Sequence, residues 1–222
     1  MHIALPAATV KSAVADKKKA FYAVYPLPKR KNAAEKLAAT LPREIAIHCN
    51  AYQVAEKRLQ SITAWAALFA LVRKNWGITP TVRFEENGKP TVCVNGDAAT
   101  KKDLFISLSH TDGAVAVCAA QTPCGIDIER ALPRKNAEKL LTRFFAEELP
   151  SGGSPLSRFY FAFTAREAVG KLTGGGVLTK NVAKPALVYT QTVRLSGENY
   201  VLSFAGKEAC SLKKVRLGLQ SK

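Results

Sequence analysis

The stretch CGIDIERALP, residues 124–133, places two acidic residues inside an apolar run typical of a β-strand. Residues i and i+2 of a strand point the same way, so Asp127 and Glu129 share one face and the two isoleucines share the other. Carboxylates side by side repel each other, and a basic side chain or a metal ion must offset that repulsion. Two interpretations stay open for this segment alone: a solvated strand end with Arg130 beside Glu129, or a site that binds a cation.

A second acidic motif, FTAREAVGK at residues 163–171, lies in a long predicted helix that ends at three glycines. Glu167 and Lys171 are four residues apart and therefore lie on one helical face. An exposed pair of this kind contributes only about 0.3–0.5 kcal/mol, but the preceding FYFAF is too apolar for a fully solvated face. If Glu167 reaches Asp127 and Glu129, three carboxylates meet, and that donor set suits Mg²⁺.

The elements predicted around these motifs form two similar halves. We expect a strand, a loop and a short helix within 21–50, a buried helix at 52–76, hairpins at 81–94 and 104–120, and the acidic strand at 124–130. Two helices at 135–145 and 158–176 follow, and then three strands at 185–195, 199–205 and 212–219. The hairpin turns are expected at Asn87-Gly88 and Asp112-Gly113. The order predicts an α+β fold of two α/β halves, residues 1–122 and 123–222.

The chain is strongly basic, with 33 Lys and Arg residues against 17 Asp and Glu residues and a formal net charge of +16. Such a surface attracts polyanions. The partner of this surface could be a nucleic acid, an acidic protein or a phosphate-rich cofactor, although no recognition motif for nucleic acid is present. Runs of basic residues, such as 17–19 and 29–31, usually form solvated faces.

Other features of the sequence predict a cytoplasmic protein. The N-terminus has no signal-peptide pattern, and the most apolar window, residues 62–72, is too short to span a bilayer. The five cysteines contain no CxxC spacing, so neither a disulfide framework nor a zinc site is indicated.

Taken together, the two acidic motifs resemble the signature of the 4′-phosphopantetheinyl transferase superfamily. Its pattern G-[IV]-D-x-E is similar to GIDIE at 125–129, and its pattern [WF]-[STC]-x-[KR]-E-[AS]-x-x-K is similar to 163–171. The turn Gly88-Lys89-Pro90 and the stretch ISLSH (106–110) resemble two further family segments. Chain length and the two-half layout look like the surfactin-type (Sfp-type) monomeric class.

The resemblance implies that the protein transfers the 4′-phosphopantetheine arm of coenzyme A to a serine of an acidic acyl or peptidyl carrier protein, releasing 3′,5′-ADP. The active site would lie in the cleft between the halves of a monomer, with no nucleic-acid or membrane partner. The alternatives are a basic nucleic-acid-binding protein without catalytic activity and a degenerate transferase that binds coenzyme A without turnover.

The resemblance also implies a role for each site residue. Asp127, Glu129 and Glu167 would bind Mg²⁺, and Lys171 would stabilise charge on the phosphoryl oxygens. Glu167 or Glu148, which follows a Phe-Phe pair, would take the serine proton. Coenzyme A would be bound by a set of basic and hydroxyl side chains: Arg43, Arg58, Lys89, Ser109, His110 and Arg166.

Overall fold

The structure is a computed structural model that describes residues 18–29, 32–86, 88–93, 104–145, 152–175, 185 and 187–219. The elements of the first part of the chain are β1 (Lys19–Pro26), α1 (Ala33–Ala38), α2 (Arg43–Asn50), α3 (Ala55–Trp76), β2 (Thr81–Phe84), β3 (Pro90–Cys93), β4 (Phe105–Thr111) and β5 (Ala114–Ala120). Those of the second part are β6 (Cys124–Arg130), α4 (Ala137–Phe145), α5 (Pro155–Thr173), β7 (Leu187–Leu195), β8 (Glu198–Gly206) and β9 (Ser211–Lys214).

A first sheet has the strand order β4-β5-β1-β9. β4 and β5 form an antiparallel hairpin, and Gly113 in its turn has φ +82°, a conformation that favours glycine. β1 is antiparallel to β5, whereas β9 runs parallel to β1 with Lys19 opposite Ser211. A strand from the end of the chain therefore completes a sheet built mainly from its beginning.

A second sheet has the order β6-β8-β7 and is antiparallel throughout. Its edge strand β6 is the acidic strand of the sequence. β2 and β3 form a separate two-stranded hairpin. The second sheet thus presents Asp127 and Glu129 on one of its edge strands.

The two sheets stack face to face, and a long helix covers the outer face of each. Val115 and Val117 of β5 pack toward α3, whereas Ala116 and Cys118 pack toward the second sheet. The seven residues of β5 are all buried for this reason. On the other outer face, α5 packs against β6 and β8. The layers run helix, sheet, sheet, helix, an α+β arrangement as the sequence predicted.

Gly125 sets how closely α5 approaches the second sheet. A Cβ at this position would lie 2.0 Å from the carbonyl oxygen of Ala168 and 2.7 Å from the backbone nitrogen of Leu172. Only a residue without a side chain allows that contact between strand and helix. The glycine of the acidic motif therefore brings the second acidic motif close to the first.

Most elements agree with the predictions, within a few residues at their ends. The region 21–50 differs, because it holds two helices, α1 and α2, in place of one, and α2 begins directly after Pro42. Asn87 of the expected hairpin turn lies outside the described residues. The division at residue 122 stays a prediction, and β9 pairs across it. Within the described residues, no helix is long and apolar enough to cross a membrane.

Candidate active site

Asp127 is the most buried acid of the candidate site, with only 3% of its surface exposed. Its Oδ1 accepts hydrogen bonds from the Ser109 hydroxyl and from the Lys171 ammonium, each at 2.7 Å. Its Oδ2 is buried and has no hydrogen-bond partner among the described residues. A buried carboxylate oxygen without a partner is costly in a folded protein, and a bound cation would compensate it.

Glu129 lies on the same face of β6, as the two-residue spacing predicted. Its Oε2 accepts a hydrogen bond of 3.1 Å from the Thr111 hydroxyl. Burial raises the pKa of Glu129, and the negative charges of Asp127 and Glu167 raise it further. The like-charge repulsion expected from the sequence is therefore present in the folded protein.

The helix α5 brings the second acidic motif to this strand. It begins after Ser154, whose hydroxyl accepts a bond from the Ser157 backbone N–H, and it ends at Gly174, which has φ +77°. Lys171 reaches Asp127 from this helix, and burial followed by the charge of Asp127 raises the pKa of Glu167. The two motifs, forty residues apart in sequence, converge on one carboxylate.

His110 lies next to this group of charges. Burial lowers the pKa of His110, and the positive charges of Lys57 and Lys171 lower it further, while Asp127 opposes them. Its Nδ1 is buried and has no hydrogen-bond partner among the described residues. Lys57, at the start of α3, was not predicted, because a lone lysine in a basic chain carries no distinguishing signal.

Three hydroxyl side chains at alternate positions of β4 contact the edge of β6. The Ser107 hydroxyl accepts a bond from the Ile126 backbone N–H, and the Thr111 hydroxyl accepts one from the Arg130 backbone N–H. Ser109 and Thr111 also donate to the two carboxylates, as described above. We call Ser107, Ser109 and Thr111 the hydroxyl row. The period-two pattern S-x-S-x-T could have indicated it, but sequence reasoning missed Thr111.

The basic residues expected to bind coenzyme A lie at several points around the molecule. Lys89 donates to the carbonyl oxygen of Leu172 at 3.1 Å, which places the Gly-Lys-Pro turn beside the end of α5. Arg58 donates twice to the Tyr52 carbonyl oxygen, at 3.1 and 3.2 Å, from the start of α3. Arg43 is exposed at the first residue of α2. Their predicted contacts with the coenzyme, and that of Ser109, stay predictions.

Arg166, in the second half of α5, contacts the end of α4. The Arg166 guanidinium donates to the Phe144 carbonyl oxygen and lies over the Phe145 ring, 5.5 Å from its centroid. This contact connects the second acidic motif to the Phe-Phe pair. Glu148, predicted to take the serine proton, lies outside the described residues.

The candidate site offers oxygen donors of the kind that a magnesium ion prefers. Mg²⁺ binds carboxylate oxygens and keeps several water ligands, and a buried oxygen of Asp127 has no partner in the part of the chain that the structure describes. Burial and the charge of Asp127 raise the pKa of both Glu129 and Glu167, which places these carboxylates near one another. Among the described residues, however, no three His, Cys, Asp or Glu side chains are arranged as a metal site, and Lys171 is the cation at Oδ1. The carboxylates therefore suit the ion in the chemistry of their oxygens, although their side chains are not arranged around one point.

Comparison with known proteins places this site in a family context. No curated protein matches the chain. Residues 123–209 match the family model of the 4′-phosphopantetheinyl transferase superfamily. The matched segment contains the acidic strand β6 and the helix α5, so it includes Asp127, Glu129, Glu167 and Lys171. This match, on the segment that carries both acidic motifs, supports a transferase of the 4′-phosphopantetheinyl transferase type.

Proposed function

We propose that the protein transfers the 4′-phosphopantetheine arm of coenzyme A to a serine hydroxyl of an apo acyl or peptidyl carrier protein and releases 3′,5′-ADP. One observation carries the proposal: the buried Asp127 of β6 and the partly exposed Lys171 of α5 form an ion pair inside the segment that matches the family model. An exposed ion pair between two side chains of α5 would not require the close approach of α5 to β6 that Gly125 allows.

The carboxylates of Asp127, Glu129 and Glu167 would hold a magnesium ion against the pyrophosphate of coenzyme A. When bound, the ion supplies positive charge where negative charge accumulates on the phosphoryl oxygens. Lys171, already within hydrogen-bond distance of Asp127, would donate to the same oxygens. Residues on the first sheet, its helices and the β2–β3 hairpin would bind the nucleotide end of coenzyme A: Arg43, Arg58, Lys89, Ser109 and His110.

The attacking serine must lose its proton as it reacts. Glu167 has a raised pKa, which makes its carboxylate a stronger base than an exposed one. Glu148 is the second candidate for this role. Phosphoryl transfer would then break the bond between the 4′-phosphopantetheine phosphorus and the leaving oxygen of 3′,5′-ADP as the serine oxygen forms its new bond, with both oxygens roughly in line.

The net charge of +16 supports an acidic carrier protein as the partner. We propose that the protein acts on it as a monomer. Steering by surface charge weakens with salt, since the Debye length is only about 8 Å at physiological ionic strength. We therefore expect the specificity constant for the carrier to fall more steeply with salt than that for coenzyme A. Equal salt slopes would contradict steering.

The central experiment incubates the purified protein with coenzyme A, Mg²⁺ and a panel of apo-carriers, and measures the mass of each carrier. We expect one or more carriers to gain the arm, and excess EDTA, Asp127→Asn and Glu167→Gln to abolish the gain. Glu138→Gln, an exposed acid on α4, serves as the control and should leave transfer unchanged. Transfer at the wild-type rate in EDTA would overturn the metal's role.

The nucleic-acid alternative is tested with the same variants. A basic nucleic-acid-binding protein would bind duplex DNA or RNA tightly, modify no carrier, and bind equally well after Glu167→Gln. That combination of results would replace the transferase proposal.

A further inference from the structure

We infer that Thr111 and Ser109 are positioning residues, whose hydroxyls orient the carboxylates of Glu129 and Asp127 for binding the divalent cation. The inference rests on the proposed function, because it concerns the metal ligands of that reaction. It assigns a role to Thr111, which lies outside both acidic motifs. It also gives Ser109 a role beyond the predicted contact with coenzyme A.

The first step is the geometry of the contacts. Ser109 donates to Asp127 Oδ1 at 2.7 Å, and Thr111 donates to Glu129 Oε2 at 3.1 Å. Each hydroxyl therefore holds one oxygen of its carboxylate and fixes the rotation of that side chain. Asp127 Oδ2 is left without a partner among the described residues, although it is buried. The arrangement holds one oxygen of Asp127 and leaves the other for a further ligand.

The second step concerns where these hydroxyls come from. β4 belongs to the first sheet and β6 to the second, and no backbone pairing joins them. The hydroxyl row bonds instead to backbone N–H groups of Ile126 and Arg130 at the edge of β6. Because Thr111 bonds both the Arg130 backbone and the Glu129 carboxylate, and Ser109 bonds the Asp127 carboxylate, these two hydroxyls fix how the acidic side chains lie relative to the first sheet. His110, on that same strand, carries a predicted coenzyme contact.

Ser107 differs from Ser109 and Thr111 in what its hydroxyl contacts, and this separates a structural role from a positioning role. All three members of the hydroxyl row are buried, with exposures of 6%, 6% and 9% for Ser107, Ser109 and Thr111. In the described contacts, Ser107 bonds only the β6 backbone, Ser109 bonds only a carboxylate, and Thr111 bonds both. Ser107 is thus a matched control within the same strand. Removing it should cost stability alone.

Side chains that hydrogen-bond to metal ligands typically change metal affinity by about 10- to 100-fold when they are removed. We expect Thr111→Val, which keeps the shape but removes the hydroxyl, to raise the Kd for Mn²⁺ by about 10-fold or more. Ser109→Ala should act in the same direction. Thr111→Ser, which keeps the hydroxyl, should restore binding to near the wild-type value.

The experiment measures Mn²⁺ binding by electron paramagnetic resonance, with a fixed concentration of coenzyme A and a blank without protein. Wild type, Thr111→Val, Thr111→Ser, Ser109→Ala and Ser107→Ala are compared, and thermal unfolding confirms that each variant is folded. The inference is supported if Thr111→Val and Ser109→Ala weaken Mn²⁺ binding while Thr111→Ser and Ser107→Ala do not. Excess Mg²⁺ should then recover the transfer rate of Thr111→Val.

Two outcomes would overturn the inference, and they differ in what else they overturn. If wild type binds Mn²⁺ and transfers the arm, but both hydroxyl deletions bind Mn²⁺ as tightly as Ser107→Ala does, the positioning role is wrong and the proposed function stands. If wild type neither binds Mn²⁺ nor modifies any carrier, the proposed function fails and the inference fails with it. Unfolding of Thr111→Val would leave Ser109→Ala to decide.

Discussion

The two long helices cover equivalent outer faces of the stacked sheets, yet the middle of α3 is almost entirely apolar there, whereas α5 adds polar side chains to its apolar ones. The middle of α3, from Ala64 to Val72, packs Trp65, Leu68 and Leu71 against the first sheet with almost no polar atoms. The corresponding part of α5 turns Thr164 and Lys171 toward the second sheet. The middle of α3 is a core element, and α5 also holds Glu167 and Lys171 of the candidate site.

This difference shows which contacts stabilise the fold and which contribute little to its stability. Burying an apolar side chain such as Leu68 contributes about 1.5–3 kcal/mol relative to leaving it exposed. A partly buried ion pair such as Lys171–Asp127 contributes little, because solvent screens Lys171 and the desolvation of Asp127 offsets much of the attraction. We therefore expect substitutions in α3 to act on stability and polar substitutions around α5 to act mainly on the reaction.

The largest effect is expected where α5 meets the strand. Gly125→Ala places a Cβ against the Ala168 backbone and must push the helix away, so we expect a loss of more than about 4 kcal/mol in the free energy of unfolding. Urea denaturation measures it. Gly218→Ala, where an added Cβ meets nothing within 4 Å, is the control and should be near neutral. A near-neutral Gly125→Ala would show that the contact is not needed.

A smaller loss is expected in the apolar helix. Leu68 is 1% exposed, and Leu68→Ala should lower the free energy of unfolding by about 3 kcal/mol through lost burial and a residual cavity. Val54→Ala, at a residue 61% exposed, is the matched surface control. Chemical denaturation followed by circular dichroism tests both variants. If Leu68→Ala cost no more than Val54→Ala, the contrast between the helices would fail.

Removing a buried hydroxyl between α5 and the second sheet should lower the free energy of unfolding by a smaller amount. The Thr164 hydroxyl donates to the Tyr160 carbonyl oxygen at 2.8 Å and lies 2.7 Å from the Ser203 hydroxyl, which also contacts Thr190. Thr164→Val should cost about 1–2 kcal/mol, because it removes these bonds without opening a cavity. A double-mutant cycle with Ser203→Ala measures the coupling. A coupling near zero would mean that the two hydroxyls act independently.

The smallest effect is a pH dependence of stability. Burial and neighbouring carboxylates raise the pKa of Glu129 and Glu167 above the ordinary 4.5, so the folded protein binds these protons more tightly than the unfolded chain does. Their contribution is fully present below pH 4.5 and is lost as the pH rises through the folded pKa values. In EDTA, wild type should therefore lose stability relative to the Glu129→Gln/Glu167→Gln variant over that window. Parallel stability curves for the two proteins would contradict this.

Much of the fold could be predicted because its signals are local. The glycines at 77 and 174 end the two long helices with positive φ, and the Asp112-Gly113 turn joins β4 to β5. The pairing of β9 with β1 could not be predicted, since four residues of strand carry no indication of a partner so far away in the chain. Long-range pairing depends on the packing of the whole molecule.

The candidate site was predictable to the same extent. The two-residue spacing of Asp127 and Glu129 and the four-residue spacing of Glu167 and Lys171 fix shared faces within a strand and a helix. Two features were not predictable: that Lys171 pairs with Asp127, and that Thr111 holds Glu129. Both depend on how separate elements meet, which no local spacing records.

The parallel pairing of β9 with β1 has a consequence for synthesis of the protein. Lys19 emerges from the ribosome early and Ser211 late, and the Tyr25 hydroxyl bonds a carbonyl oxygen 194 residues later in the chain. Until that last strand arrives, the outer edge of β1 exposes unpaired backbone groups that can pair with other chains. The nascent chain should therefore depend on chaperones late in translation, and a stop codon just before Ser211 should produce aggregates although all residues of the candidate site are present.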